Sequence, residues 1–527
     1  MGGHVPNSNV TSILSFKPGH DGSIAYIKDG KLEFSYEAEK DSHGRYSQLN
    51  ASTIFDAFQY IDDIPDVVAI SGWAKTLEFD GLADIGSGYA GIDLPHMQSQ
   101  KMNFMGRQID MFSSSHERSH LMGTYAMSPF AQGEPCYALI WEGRFGDFYE
   151  IDPSLKIKKL GTVMNQPGVK YGFLYHLASE GSAKISNSYS GKVMALAGFS
   201  NRGELNEIEK KTADFILNNT VYDGLEDYME WSPFYNAGVE DADFKEFCGK
   251  FSDLIFNEFL AFAQKNCKKG YPLLISGGCG LNCEWNSKWK NSGLFSDIFV
   301  APVTNDTGSA IGTAVDALYH HTGVAKVSWD VYCGQDFKKH VDNYSGVKFD
   351  RHDFDAKSVA KLLKDGKIFG LIHGKCEIGP RALGNRSIIA APFTLESKRR
   401  INAIKKREDY RPVAPVCLEE DVAKFFDWDQ SSPYMLYFQK VISPKLKAIT
   451  HVDDTARVQT VTQTSNAHLY NILNAFKYET GFGVLCNTSL NFLGVGFINS
   501  LHDIKHFVGT TDLDGFITDD SIYLKQL

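Results

Sequence analysis

His116 and His120 stand four apart in the run His116-Glu117-Arg118-Ser119-His120. On a helix that spacing sets both imidazoles on one face, which suits a divalent metal. A carboxylate would complete the set, and Asp306, in a loop after a strand, is the natural third ligand. We do not read the run as a metalloprotease centre. Three glycine turns offer a second kind of chemistry: Gly19-His20-Asp21-Gly22-Ser23, Gly143-Arg144-Phe145-Gly146, and the segment from Ser276 through Gly277 and Gly278 to Asn282. With no Cβ in the way, backbone N–H groups can approach phosphate oxygens. The third turn lies between a buried strand and a helix, where α/β sheets form ligand sites.

The later half is richest in anion-binding types. Arg381 and Arg386 lie in the glycine- and proline-bearing segment Glu377–Ser387, which reads as a rigid loop. Lys398, Arg399, Arg400, Lys405, Lys406, Arg407 and Arg411 follow. Guanidinium forks bind phosphate through paired hydrogen bonds, and lysine adds a point charge. We take Lys398, Arg399 and Arg400 as a solvated helix face, and Arg381 and Arg386 as ligand-binding. Asn487-Thr488-Ser489-Leu490-Asn491 follows a strand and offers amide and hydroxyl groups.

The elements that must position these groups alternate between strand and helix. Ile13–Phe16, Ile24–Ile27 and the alternating Leu32, Phe34 and Tyr36 predict a strand, a glycine turn and a hairpin. Cys136–Trp141 and its glycine turn repeat that unit, which suggests a duplicated architecture. Asp243–Lys265 keeps a helical period. Strands at Pro272–Ser276 and Asp297–Val300 follow, then a small-residue helix from Ser309. After a polar junction at Lys326–Asp350 a new α/β run begins, with helices at Ala356–Lys364 and Asn466–Thr480. Strands are expected there at Ile368–His373, Val484–Asn487 and Phe516–Thr518. The pattern is α/β, divided near residue 345.

The 527 residues carry 53 Lys+Arg against 64 Asp+Glu, a net charge of −11, with 43% hydrophobic and 22% charged residues. That composition excludes disordered and collagenous chains and argues against a general nucleic-acid coat. No apolar run approaches the ~18 residues of a membrane helix, and Met1–Pro6 shows no secretory or myristoylation pattern. Nine scattered cysteines fit a reducing compartment, so a cytoplasmic protein is expected. Cys279 and Cys283 lack a second pair, so no structural zinc is expected.

Several of these blocks together resemble the nodulation/cephem-type O-carbamoyltransferase family. Gly379-Pro380-Arg381-Ala382-Leu383-Gly384-Asn385-Arg386-Ser387 is similar to its most specific motif. Lys405 with Arg407-Glu408-Asp409-Tyr410-Arg411-Pro412-Val413-Ala414-Pro415, and Asn487–Asn491, resemble two further blocks. His20–Ser23, the His116/His120 pair, Gly191–Ala197, Ser276–Asn282 and Asn305–Thr313 fit the other half, in order. Phe16–Gly22 and Ser114–His120 look most like the branch that acts on cephem hydroxymethyl groups. Two positions depart from the commoner pattern: Ser115 replaces a histidine, and Glu142 replaces an aspartate in the second turn.

The resemblance implies two domains. Residues 1–345 would take the threonylcarbamoyl-transferase-like form of the actin/sugar-kinase/Hsp70 fold. Residues 346–527 would be similar to threonylcarbamoyl-adenylate synthase. It implies a reaction of ATP, with Mg²⁺, and carbamoyl phosphate. Carbamoyl-adenylate would form in the second domain and pass its carbamoyl group to a hydroxyl in the first. Arg381, Arg386, Lys405, Arg411 and Arg457 would neutralise the charge of both anions, and Asn487 and Ser489 would orient their oxygens. His116, His120 and Asp306 would hold the metal, Fe²⁺ by resemblance. Gly277, Gly278 and Asn282 would cradle the nucleotide, with Lys192 on phosphate, and His20 would assist deprotonation of the acceptor hydroxyl. The expected acceptor is a small-molecule hydroxymethyl group. A hydroxymethylated pyrimidine in DNA and a glycan stay open as alternatives, and tRNA threonylcarbamoylation is more distant. Acceptor contacts are expected from residues 76–107 and 201–241. The oligomeric state is left open.

Overall fold

The computed structural model describes residues 10–41, 44–71, 92, 98–180 and 184–526. The N-terminal residues read above for leader signals lie outside them, as do 76–91 and 93–97 of the expected acceptor segment. The glycine-punctuated apolar runs form strands. The first sheet holds β1 (Ser12–Lys17), β2 (Ser23–Lys28), β3 (Lys31–Glu37), β4 (Val67–Ser71), β5 (Gln98–Phe104) and β6 (Arg107–Ser114), in the order β3-β2-β1-β4-β6-β5. The second holds β7 (Cys136–Trp141), β8 (Gly146–Ile151), β9 (Ile157–Thr162), β10 (Leu273–Ser276) and β11 (Ile298–Val300), in the order β11-β10-β7-β8-β9. In each, three antiparallel strands are continued by two parallel ones beside the first strand. The same plan built twice is the duplication that the two glycine turns suggested.

Two helices share one apolar core with both sheets. His116–Met127 follows β6, and all twelve of its residues are buried. Ser309–Thr322 crosses it. The crossing needs glycine: a Cβ on Gly312 would stand 1.7 Å from the Ser119 carbonyl oxygen. A helix buried all round must satisfy its polar residues internally. Arg118 therefore donates to both carboxylate oxygens of Asp316 on the crossing helix, at 2.9 and 2.5 Å, and Ser114 also donates to Asp316. Asp316→Ala would strip that buried guanidinium of its carboxylate partner. We expect a loss of about 3–5 kcal/mol, read by denaturant unfolding.

The third sheet draws its strands from β12 (Phe349–Asp353), β13 (Phe369–Ile372), β14 (Arg386–Ala390) and β15 (Ala414–Leu418). A short ribbon of β16 (Gln439–Lys440) and β17 (Thr455–Ala456) stands apart from it. The sheet is completed by β18 (Gln459–Val461), β19 (Val484–Ser489), β20 (Gly515–Ile517) and β21 (Ser521–Lys525), in the mixed order β12-β21-β20-β13-β14-β19-β15-β18. Apolar side chains cover both faces. The expected helices appear at Ala356–Lys364 and Ala467–Thr480. Between the sheets, Ser328 bridges to Lys31 of the first and Lys338 to Ser500 beside the third. No helix among the described residues is long and apolar enough to cross a membrane.

Candidate functional site

The strand ends of the first two sheets converge on one buried cluster. His116 and His120 come from the first turns of their helix, Glu142 directly follows β7, and Asp306 lies in the loop after β11. All four are buried, and their candidate ligand atoms lie within 4.8 Å of one another. His116 Nε2 is 3.1 Å from both Glu142 oxygens. His120 Nε2 lies against Glu142 and 3.3 Å from Asp306. Its Nδ1 meets the Ser276 hydroxyl at 2.9 Å, which fixes the ring so that Nε2 faces the carboxylates. Two imidazoles and two carboxylates, all desolvated, are a donor set for a divalent transition metal. Burial works against a charged His120, but Glu142 and Asp306 outweigh it and lift the imidazole to about 10. Burial likewise opposes the charge on Asp306, yet His116 and His120 hold its carboxyl well below the usual range.

The expected set was His116, His120 and Asp306, and the structure brings all three together. Glu142 is the fourth member and was not assigned as a ligand; the signal was the acidic residue at the end of β7. The run His116–His120 fits the letters His-Glu-x-x-His, but Glu117 is no base at this cluster. It accepts a hydrogen bond from the Tyr149 hydroxyl at 2.7 Å, outside the ligand set. His20 stands at the edge, half-exposed, with Nδ1 3.1 Å from Asp21 and Nε2 3.4 Å from Asp306. The hydrogen bond to Asp21 raises its pKa against the effect of burial.

A second cluster is cationic. Burial and the charges of Arg457, Arg45 and Arg411 press Arg381 down to about 9. Burial, Arg411 and Arg457 act likewise on Arg407. Lys405 is pushed well down by burial and by Arg407, Arg45 and Arg411. Among the described residues, no carboxylate lies within 4 Å of Arg381, Lys405, Arg407 or Arg457. Glu408 is shared between Lys192, at 2.6 Å, and Arg411, at 3.9 Å. Like charges gathered out of water, with Glu408 as a carboxylate at their edge, are what a polyanion site requires. Lys405 also donates to the Ser489 carbonyl at 2.6 Å and to the Asn491 carbonyl at 3.0 Å, joining the two later blocks. Asn487 donates to Gln459 at 2.8 Å, while its Oδ1 is buried without a partner among the described residues.

Other expected residues fall differently. Arg386 is set apart from the cationic cluster. It opens β14 rather than standing in the loop, it is fully buried, and protein acceptors take its guanidinium: Asn499 Oδ1 at 3.0 and 2.7 Å and the carbonyls of His373, Gly374 and Asn385. Its donors pin the loop and are taken up within the protein. Lys192 is held by Glu408 and stacks over Tyr175, which places it beside the cationic cluster. Gly277 (φ +95°) has its N–H bonded to Thr304, and a Cβ there would stand 2.5 Å from Glu142 Cγ. Gly278 is exposed and faces open space. Asn282 caps the following helix through its Oδ1, with its Nδ2 buried and unpartnered among the described residues.

The two clusters are held in register by a buried clamp. Glu37 at the end of β3 accepts the Gly379 N–H at 2.6 Å, and Lys40 donates to the Gly379 carbonyl. Gly379 has φ +83°, and a Cβ there would stand 2.1 Å from the Pro302 carbonyl oxygen. The loop carrying Arg381 is thus seated on the segment that leads to Asp306. Burial lifts the Glu37 carboxyl from the ordinary 4.5 to about 7, against the pull of Lys40. The folded protein therefore binds the extra proton between those values, and stability falls as pH rises through that window. Glu37→Gln removes this dependence. Between pH 5 and pH 8 the variant should gain about 2–3 kcal/mol on the wild type, read by denaturant unfolding at both values.

A duplicated sheet pair, a third mixed sheet and two adjoining clusters of opposite character define an α/β protein with the side chains of an enzyme site. The chain belongs to the carbamoyltransferase family: the profile of the carbamoyltransferase N-terminus matches residues 97–315 and that of the C-terminus residues 360–525. It is 41% identical to the 3'-hydroxymethylcephem-O-carbamoyltransferase of Amycolatopsis lactamdurans, over 97% of this chain and 99% of that one. It is 30% identical to nodulation protein U of Rhizobium tropici, over 92% of each. Among solved structures, full-length HypF in its phosphate- and nucleotide-bound form matches 59% of this chain and 56% of its own at 12% identity, with a TM-score of 0.34. The protein is a transferase.

Proposed function

We propose that this enzyme is an ATP-dependent O-carbamoyltransferase acting on the hydroxymethyl group of a small molecule. Its carbamoyl donor would be carbamoyl phosphate, used through carbamoyl-adenylate. One observation carries this: the Ser276–Asn282 loop borders both clusters. Ser276 bonds His120, Gly277 presses on Glu142, and the Leu281 carbonyl accepts from Arg381 Nη2 at 2.7 Å. An intermediate made among the arginines has a short path to the histidines.

Residues 346–527 would form the adenylate. Arg381, Lys405, Arg407, Arg411 and Arg457 would hold the two polyanions together and offset charge as it develops. Asn487, with its open Oδ1, and Ser489 would orient the carbamoyl group. An acyl-phosphate bond and a phosphoanhydride bond break while one mixed anhydride forms. Pyrophosphate and phosphate leave, and one water is consumed. Residues 1–345 would then carry out the transfer. His116, His120, Glu142 and Asp306 would hold a divalent metal, which supplies Lewis-acid polarisation when bound; Fe²⁺ is the ion that family resemblance favours. Gly277, Gly278 and Asn282 would line the nucleotide. His20, half-exposed at the rim, would take the acceptor's hydroxyl proton as the new C–O bond forms and AMP departs. All nine cysteines are free and buried, which supports a reducing, cytoplasmic setting.

The test incubates the protein with ATP, carbamoyl phosphate and a panel of hydroxymethyl acceptors, with hydroxymethylated DNA among them. Mass spectrometry should show the gain of one carbamoyl group on a small molecule. A gain on DNA alone would move the acceptor class. No gain anywhere, with no AMP formed, would overturn the proposal.

A further inference from the structure

The cationic cluster draws a member from the far end of the chain. Arg45 sits on an exposed turn after the first sheet's antiparallel strands. That turn is pinned from two sides. On one side Asp21 and Gly22, beside His20, donate to the carbonyls of Tyr46 and Ser47, at 3.3 and 2.8 Å. The seat is so close that a Cβ on Gly22 would stand 2.1 Å from the Leu49 nitrogen. On the other side Arg45 N–H donates to the Gly494 carbonyl at 3.3 Å, and Gly44 bridges to Val495. Val495 in turn accepts from Asn491 at 2.7 Å, and Asn491 accepts from Lys405. A short chain of bonds thus links Arg45 to the block that holds Lys405 and Ser489.

Arg45 has no carboxylate partner among the described residues. Its positive charge instead bears on Arg381, Lys405 and Arg411, each of which it helps to lower. An exposed arginine usually points to water or to an acid. The Arg45 guanidinium lies over the Tyr46 ring, 5.2 Å from the centroid, a contact that holds it without neutralising its charge, and an anion between it and the other cations turns their repulsion into attraction.

We propose that Arg45 is a sixth phosphate-binding cation of this site, supplied by the first half of the chain. It would grip phosphate oxygens of ATP or of carbamoyl phosphate. This rests on the anion-site reading above. It also makes occupancy of the adenylating site depend on the turn that braces His20.

The test is equilibrium binding by calorimetry, with ATP and carbamoyl phosphate titrated separately so that no turnover occurs. Wild type, Arg45→Ala and Arg45→Lys are compared. For Arg45→Ala we expect Kd for at least one ligand to rise ~10-fold or more, the size of one lost charge-assisted contact. The ligand affected identifies which phosphate Arg45 holds. Arg45→Lys should stay within ~3-fold of wild type, because the charge is kept. The ligand-free melting temperature should shift little, because the exposed side chain adds to the fold a weak contact with the Tyr46 ring while the turn is held through its backbone. Unchanged affinity of Arg45→Ala for both ligands would overturn the inference while leaving the anion site standing. If wild type binds neither ligand, the anion-site reading itself falls.

Discussion

Arg381→Ala is expected to lower pyrophosphate release from ATP and carbamoyl phosphate by roughly 10²–10³-fold, the effect of removing one preorganised donor from a charge-stabilising site. Three features make Arg381 the residue to remove. Its Nε is buried without a hydrogen-bond partner among the described residues, so that donor awaits a ligand. Its single short bond, from Nη2 to the Leu281 carbonyl, aims the fork across the boundary between the two clusters. Its loop is clamped by Glu37 and Lys40, which limits the drift that would let a neighbour substitute. Stability should not fall with activity, because the lost cation repels Arg457, Arg45 and Arg411. Arg381→Lys should restore the charge but not the paired geometry, and so recover activity only in part. Pyrophosphate release in Arg381→Ala within a few-fold of wild type would remove the cationic cluster from the chemistry.

Much of this site was open to a reader of the sequence because its signals are local. His116 and His120 share a helix face, and Asp306 follows a short strand. Arg381 stands in a glycine-rich segment whose backbone the clamp indeed constrains. What stayed hidden was set by distant partners. Arg386 has the same local setting as Arg381, yet Asn499 and the carbonyls after β13 take its donors. No spacing rule reveals where a guanidinium finds its acceptors. Glu142 joins the histidines only because β7 ends beside the helix His116–Met127. Arg45 reaches the cluster through pairing across more than four hundred residues. The sheets follow the same logic. Turns and alternation marked most strands, and two similar turns marked the duplication. The helix His116–Met127, buried on every side, offered no amphipathic period to read.

His120→Ala separates the two centres. It removes one of four donors and the ring that Ser276 orients. Metal content after purification and desalting should fall by more than the roughly 10–100-fold in affinity that the loss of an outer partner costs. Carbamoyl transfer to the acceptor should drop on the order of 10³-fold, since Lewis-acid polarisation is worth several kcal/mol. Pyrophosphate release should remain within a few-fold of wild type, because Arg381, Lys405, Arg407, Arg411 and Arg457 are untouched. The deletion takes from the buried Glu142 and Asp306 a partner that offsets their charge, so the fold of the variant is verified by circular dichroism before activity is read. The outcome to watch is uncoupling, with AMP and pyrophosphate appearing while no carbamate ester forms, as adenylate is lost to water. If His120→Ala silences pyrophosphate release as completely as Arg381→Ala does, the two clusters act as one centre. The division of labour drawn here between residues 1–345 and 346–527 would then be wrong.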